Sequence, residues 1–401
     1  MNLLRQTHNL QANEQLLYFT SSSLWADNRH LVFLSDRNGH PNIYLRNMAT
    51  GEEMALSENH EGFLKSYVYF DGNPYQGLGK ASVSLDPVSG AVYYLQGRQV
   101  CRVDGSGKIR VLAELPYEQM TAFTHVSADG KRLCVPTTDA RALDGDNRLP
   151  GRPEYNIDAR VQEESLCSYL WVFDTETGTV LLREPVARSW ITHVQFSPVD
   201  PDLILYNHEW PGDCGIRRMW LFDARGIGEA RHLRLRMEGQ GRSRADWTCH
   251  EMWERDGQAI IYHGQYANGR SYLGRVRPDG SDVREVLVPE GWNAYGHFTV
   301  GEPGVLVTDG CFQEPEDAAE RNGQWISRVE VDWENGTSRW IPLCRHGSSW
   351  DSQDSHPHPI FDHAGERIYF TSDREGKRAI YSTVGRPIIL DGKGEQHGFY
   401  L

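Results

Sequence analysis

The chain has no apolar run approaching the roughly 18 residues of a membrane-spanning helix, and its start, MNLLRQTHNLQANEQ, lacks a basic stretch followed by an apolar one. Neither an anchor nor an export signal is readable, and the expected location is cytoplasmic. Cysteine is sparse: Cys101, Cys134, Cys167, Cys214, Cys249, Cys311 and Cys344 are odd in number, far apart and form no C-x-x-C pair. That pattern argues against zinc knuckles and a disulfide scaffold, and predicts reduced, mostly buried thiols. Positive charge is in deficit, with 41 Lys and Arg against 55 Asp and Glu and a formal net charge of −14. Nucleic acid and anionic membranes are therefore poor partners, and an anionic ligand needs a local positive trap. Neither G-x-S-x-G nor H-E-x-x-H occurs, so serine-hydrolase and zincin chemistry are not indicated.

Helical periodicity is scarce too, and what remains is a succession of short apolar runs separated by turn signals. SDRNGHPNIYL, from Ser35, returns near the other end as SDREGKRAIYS, from Ser372. Between them a unit recurs: a strand, a turn such as SADGKR, a second strand, a polar hairpin, a third strand such as LWVFD, a turn such as TETG, and a fourth strand. Seven second strands can be placed: HLVFL, AVYYL, RLCVP, LILYN, AIIYH, GVLVT and RIYFT. Four-stranded units at this spacing predict an all-β, seven-bladed β-propeller, in which each blade buries its faces against two neighbours. The expected blades are 20–60, 80–115, 121–186, 190–237, 247–289, 295–343 and 355–385, within one propeller domain spanning 1–401. The insertion from Ala140 to Ser165 reads as a hairpin loop shaping the channel mouth.

Aligning the units on the turn after the first strand puts Ser127, Ser197, Glu254, Gly301 and Asp362 in register. Four residues earlier, His193, His250, His297 and His358 fall in one column, with Ser21, Val83 and Phe123 in the first three blades. The first strand of each blade lines the channel, so such a column converges near the axis. In SWDSQDSHPHPIFD, His356 and His358 would share a face by strand alternation. Gln353, an odd number of residues before His356, needs a bend to reach the same point. Three imidazoles, His297, His356 and His358, with the Gln353 amide oxygen make an all-neutral set for a divalent metal, which keeps its charge for an anionic substrate.

These residues resemble the oligogalacturonate lyases, seven-bladed pectin-degrading propellers with a Q-x-x-H-x-H run, present here as Gln353, His356 and His358. Other matching stretches are NHEWPGDCGIRRMWLFD, TCHEMWERDG and YGHFTVGEPGVLVTDGC. The likeness runs through blades four to seven and thins in the first three. It implies His297 as the remaining metal ligand, His250 as Brønsted base, Arg218 as the arginine that engages the substrate carboxylate, and manganese as the metal. His193 and His208 fall on family-like stretches and are expected at the substrate. A basic stretch between Arg218 and His250, ARHLRLRMEGQGRSR, departs from the family pattern.

The resemblance implies β-elimination from short, acidic oligosaccharides such as unsaturated digalacturonate. The proton removed lies α to a carboxylate and is barely acidic, so the reaction needs charge stabilisation and a neutral base. Two other readings stay open: a noncatalytic propeller that recruits partners, and a lyase for a different uronic-acid glycan.

Overall fold

The computed structural model describes residues 3–64, 77–120, 123–143, 157–209, 218–235, 247–290, 292–293, 296–312 and 325–386. The predicted strands form because β-rich runs alternate with turns in which glycine takes the left-handed conformation. Gly178 in TETG has φ +76°, and a Cβ there would stand 2.2 Å from the Leu112 carbonyl oxygen. Each run pairs antiparallel with the next, and the sheets build a seven-bladed β-propeller.

Blade 1 comprises Glu14–Leu16, His30–Ser35, Asn42–Asn47 and Glu53–Ala55, and blade 2 Ser84–Leu85, Val92–Gln96, Gln99–Val103 and Ile109–Glu114. In blade 3, Gln119–Met120 and His125–Val126 both pair with Arg132–Asp139, followed by Cys167–Asp174 and Val180–Ala187. Blade 4 is Val194–Phe196, Leu203–Asn207, Met219–Asp223 and His232–Arg234. Blade 5 is Trp247–Trp253, Ile260–Gln265, Ser271–Val276 and Arg284–Leu287. Blade 6 is Phe298–Val300, Val305–Thr308, Trp325–Asp332 and Thr337–Arg345. Blade 7 joins the two ends of the described chain: Ile360–Phe361, Arg367–Ser372 and Ala379–Val384 are completed by Leu4–Arg5, with Leu4 opposite Ser382. Blade 1 thus begins at Glu14 rather than near residue 20, and a two-residue strand too short to read as a pattern supplies the last place in the ring.

Apolar clusters fill the spaces between neighbouring blades. Val194 and Phe196 of blade 4 meet Cys134 and Leu170 of blade 3, and Phe298 and Val300 of blade 6 meet Ile261 and Leu273 of blade 5. The cluster between blades 7 and 1 differs, because it also carries Tyr18, Phe19 and Phe123. Those rings belong to the centre of the molecule.

The alignment behind the histidine column can be tested against hydrogen bonds. Each blade closes its first turn with one backbone bond: Trp25 to His30, Asp86 to Ala91, Ser127 to Arg132, Ser197 to Leu203, Glu254 to Ala259, Gly301 to Val305 and Asp362 to Arg367, N–H to carbonyl, at 2.8–3.1 Å. Counting back four residues gives Ser21, Ser82, Phe123, His193, His250, His297 and His358. Six of the seven match, and blade 2 is corrected from Val83 to Ser82. Asp86, whose carboxylate accepts from Val88 and Ser89 N–H, starts that turn one residue before the proline.

Residues 144–156 of the expected channel-mouth loop, and 236–244 of the basic stretch, lie outside the described residues.

Candidate metal and catalytic site

Three of the four column histidines, His250, His297 and His358, converge, while His193 packs on Tyr18 and Phe123. Ring centroids of His250 and His297 are 4.5 Å apart, of His297 and His358 4.0 Å, and of His297 and His356 5.2 Å. Strand alternation is not what brings the last two together. The strand starts only at Ile360, and His358 has φ +47°, a left-handed backbone that non-glycine residues seldom adopt. His250 shows the same device, φ +53°, inside a register shift between Cys249 and Met252. Two of the four column histidines are therefore aimed by local backbone strain, a common mark of functional positions.

His297, His356 and His358 offer ligand atoms that all lie within 4.8 Å of one another. The Nδ1 of His356 and the Nε2 of His358 are buried with no hydrogen-bond partner. Leaving such atoms bare costs about 1–3 kcal/mol each, which a bound cation would offset. Burial holds His356 down to about 3 and His297 and His358 well below the usual histidine range, with neighbouring imidazoles and Lys80 adding to the effect. All three are neutral, as ligation requires. The donor set thus fits a divalent ion.

Gln353 stands on a single 3-10 turn, Gln353–Ser355, directly ahead of His356. The Ser355 hydroxyl accepts from Ser352 N–H at 3.1 Å and closes this turn, which bends the chain just ahead of His356. The Gln353 side chain itself is exposed. Trp350 walls the same region, its ring 4.2 Å from that of His356.

His250 is half-buried, and its Nδ1 lies 2.7 Å from the Gly296 carbonyl oxygen and 2.7 Å from His263 Nε2. A carbonyl can only accept, so Nδ1 carries the proton and Nε2 is left as the basic atom. Burial, reinforced by His297, Arg218 and His193, holds this imidazole neutral. Cys249, His250 and His263 also lie within 4.8 Å of one another, but the His250 Nδ1 is committed to Gly296.

Arg218 is buried, donating from Nε to Glu251 at 2.9 Å and from a terminal nitrogen to Glu209 at 3.2 Å. Two carboxylates that the motif does not announce therefore fix it. His193 has both ring nitrogens engaged inside the protein: Nδ1 with Asn207 Nδ2 at 3.0 Å and Thr192 Oγ1 at 2.7 Å, Nε2 with the Tyr18 hydroxyl at 3.2 Å. His208 packs on Trp220 and Tyr206, with ring centroids at 5.1 and 5.8 Å. It stands beside blade 4, and none of the column imidazoles is among its ring neighbours within the described residues.

Three further residues reach the centre without any motif. Phe19 stacks on His358 at 5.5 Å and 12° and touches His250 and His297, while Tyr18 lies against His193 and His358. Both come from the loop that follows Glu14–Leu16. Lys80 is fully buried with Nζ 2.8 Å from His358 Nδ1, and burial lowers it to about 7, partly opposed by Asp354 and Asp309. Lys80 precedes Ser82 as His356 precedes His358, so it lines the channel at the matching position of blade 2.

A family model described as oligogalacturonate lyase matches residues 158–387, more than half of the 401 residues. The chain belongs to the oligogalacturonate lyase family. An oligogalacturonide lyase of Pectobacterium atrosepticum is 27% identical over 228 residues, covering 54% of this chain and 55% of the relative. An oligogalacturonate lyase of Dickeya dadantii is 29% identical over 231 residues, with the same shares. The match thus spans about half the length of these curated relatives. Among solved structures, an oligogalacturonate lyase in complex with manganese superposes with TM-score 0.73 at 23% identity, covering 96% of this chain and 93% of that one. The oligogalacturonate lyase of Vibrio parahaemolyticus gives 0.71 at 21%, covering 95% and 92%. At these identities the structural likeness is one of fold. The family model begins late in blade 3, so its match contains every column histidine.

Proposed function

We propose that the protein is a metal-dependent lyase that cleaves short oligogalacturonates by β-elimination, unsaturated digalacturonate being the first substrate to try. One observation carries this reading: neutral His250, with Nε2 left basic, stands against a trio of imidazoles that includes two buried, unpartnered nitrogens. His297, His356 and His358 would hold the ion, with the Gln353 amide as a fourth, oxygen ligand. When bound, a divalent ion, manganese as in the solved oligogalacturonate lyase complex, would supply Lewis-acid stabilisation of the charge that develops on the substrate carboxylate.

The chain's own groups do the rest. Gly296 holds the Nδ1 proton of His250, so Nε2 takes the proton α to the uronate carboxylate. Arg218 supplies fixed positive charge for that carboxylate, held by Glu209 and Glu251 so that little side-chain entropy is lost when substrate arrives. His208 and His193 flank this arginine in blade 4 and are assigned to the substrate side. A contact to His193 would have to displace Tyr18. Phe19 and Tyr18 close the channel below the imidazoles and keep water from that side. The free cysteines among the described residues fit a reducing, cytoplasmic setting.

The test is turnover of unsaturated digalacturonate by manganese-loaded protein, followed as loss of the 4,5-double-bond absorbance with formation of keto-uronate. No turnover on any uronide, together with no retained metal, would sink the reading and favour a noncatalytic propeller.

A further inference from the structure

In blades 2 to 7 the residue facing the column position across the ladder comes from the blade's second strand, four residues after the turn-closing carbonyl; in blade 1 the same count gives Leu34, which pairs with Gln15 instead. In blades 2 and 3 it is Leu95 and Pro136; in blades 4 to 7 it is Asn207, His263, Asp309 and Thr371. All four of the latter are fully buried. Three of them touch the column histidine of their own blade.

In blade 4, the Asn207 Oδ1 accepts from Thr192 N–H at 3.0 Å and His193 N–H at 2.8 Å, which fixes the amide orientation. Its Nδ2 lies 2.9 Å from Thr192 Oγ1, 2.9 Å from Glu209 Oε2 and 3.0 Å from His193 Nδ1, which is itself 2.7 Å from Thr192 Oγ1, so an amide and a hydroxyl share this nitrogen. In blade 6, the Asp309 Oδ1 accepts from His297 N–H at 2.6 Å. Its Oδ2 faces His297 Nδ1 at 3.2 Å and His358 N–H at 3.0 Å. A carboxylate has no proton to give, so Nδ1 of His297 donates and Nε2 keeps its lone pair. The bond to His358 also crosses between blades and holds the residue whose φ is +47°.

We propose that Asp309 is the positioning residue of this site: one carboxylate sets the ring tautomer that makes His297 a metal ligand and pins the strained backbone that aims His358. Asn207, at the same ladder position, presents an amide to His193 in place of a carboxylate. Partners of this kind commonly contribute 10–100-fold to metal affinity. The proposal rests on the reading of His297, His356 and His358 as ligands.

Two measurements test it separately from that reading. In metal-free wild-type protein with 15N-labelled histidine, long-range imidazole spectra, assigned with His297→Gln, should show His297 protonated at Nδ1; protonation at Nε2 would overturn the proposal whether or not any metal binds. Manganese titration by calorimetry should then show Asp309→Asn binding about 10–100-fold more weakly than wild type, because the amide now donates to Nδ1 and faces His358 N–H with a second donor. Thr371→Val, at the same ladder position but accepting from Leu16 N–H, should bind within threefold of wild type. Equal losses in both variants, or an unchanged Kd in Asp309→Asn, would overturn the assignment. If wild type itself binds no manganese, the metal reading fails while the tautomer result still judges Asp309; if Asp309→Asn does not fold, the wild-type spectrum decides.

Discussion

Two arcs of the ring share one hydrogen-bonding frame and put it to different uses. Blades 1 to 3 place Ser21, Ser82 and Phe123 at the column, back the latter two with Leu95 and Pro136, and send Tyr18 and Phe19 across the axis. Blades 4 to 7 place four imidazoles there and back them with buried polar side chains. The family match, 158–387, covers the polar arc and leaves most of the apolar one outside. A propeller thus lets one arc carry the chemistry while the other fills the channel, because each blade packs its sheet faces only on its two neighbours. The arcs are still coupled: the apolar rings exclude water from the imidazoles, which helps keep them neutral, and Lys80 reaches His358 from blade 2.

The widest expected gap between the arcs is in metal retention. His356→Ala combined with His358→Ala should abolish bound manganese and cut turnover by three or more orders of magnitude, whereas Ser82→Ala, in the same column on the apolar arc, should leave metal content unchanged by elemental analysis. Activity surviving the double substitution would move the ion elsewhere. Within the polar arc, His250→Ala should lower kcat by about 10²–10⁴-fold with metal still bound. Loss of metal in that variant would instead make His250 a ligand and remove it as base.

On the apolar arc the expected currency is stability. Phe19→Ala empties space among three histidine rings and should cost about 3–5 kcal/mol, read as a lowered denaturation midpoint, with metal still bound. An unaltered midpoint would show that the ring is not part of the packed core and that the channel closes in some other way.

How much of this was legible in the residues follows from the same division. The polar arc could be read because its turns, SPVD, ERDG, GEPG and DHAG, set the register that aligned the histidines. Blade 2 shifts by one because Asp86 caps the turn one residue before Pro87, and Lys80 carries no strand pattern to announce it, since Lys80–Ser82 form a 3-10 turn. The polar residues backing the column were visible in part, since LILYN, AIIYH and RIYFT end on Asn207, His263 and Thr371, and Asp309 follows GVLVT. Tyr18 and Phe19 carry no such signal, because they occupy a loop inside the interrupted inner strand of blade 1, between Leu16 and the Leu24–Leu31 bridge. The strain at His250 and His358 has no counterpart in a binary pattern either. The partners of Arg218 left a faint trace, a His-Glu pair in each of two successive blades, His208–Glu209 and His250–Glu251.

That arginine gives the smallest expected effect and a test of how far charge, rather than packing, stabilises the polar arc. Burial would raise the Glu209 carboxyl, but Arg218, with His193 and Thr192, holds it well below the usual carboxylate range. A depressed carboxyl contributes stability that is present above the unfolded value of 4.5 and is lost as pH falls toward the folded value, because the unfolded chain takes up the proton first. Glu209→Gln should therefore destabilise by about 1.5–3 kcal/mol near neutrality, with a difference from wild type that shrinks as the pH is lowered from 6 to 3. Denaturant midpoints across that range decide the matter. A pH-independent difference would mean that Glu209 acts through shape and neutral hydrogen bonds, and that Arg218 is positioned chiefly by Glu251.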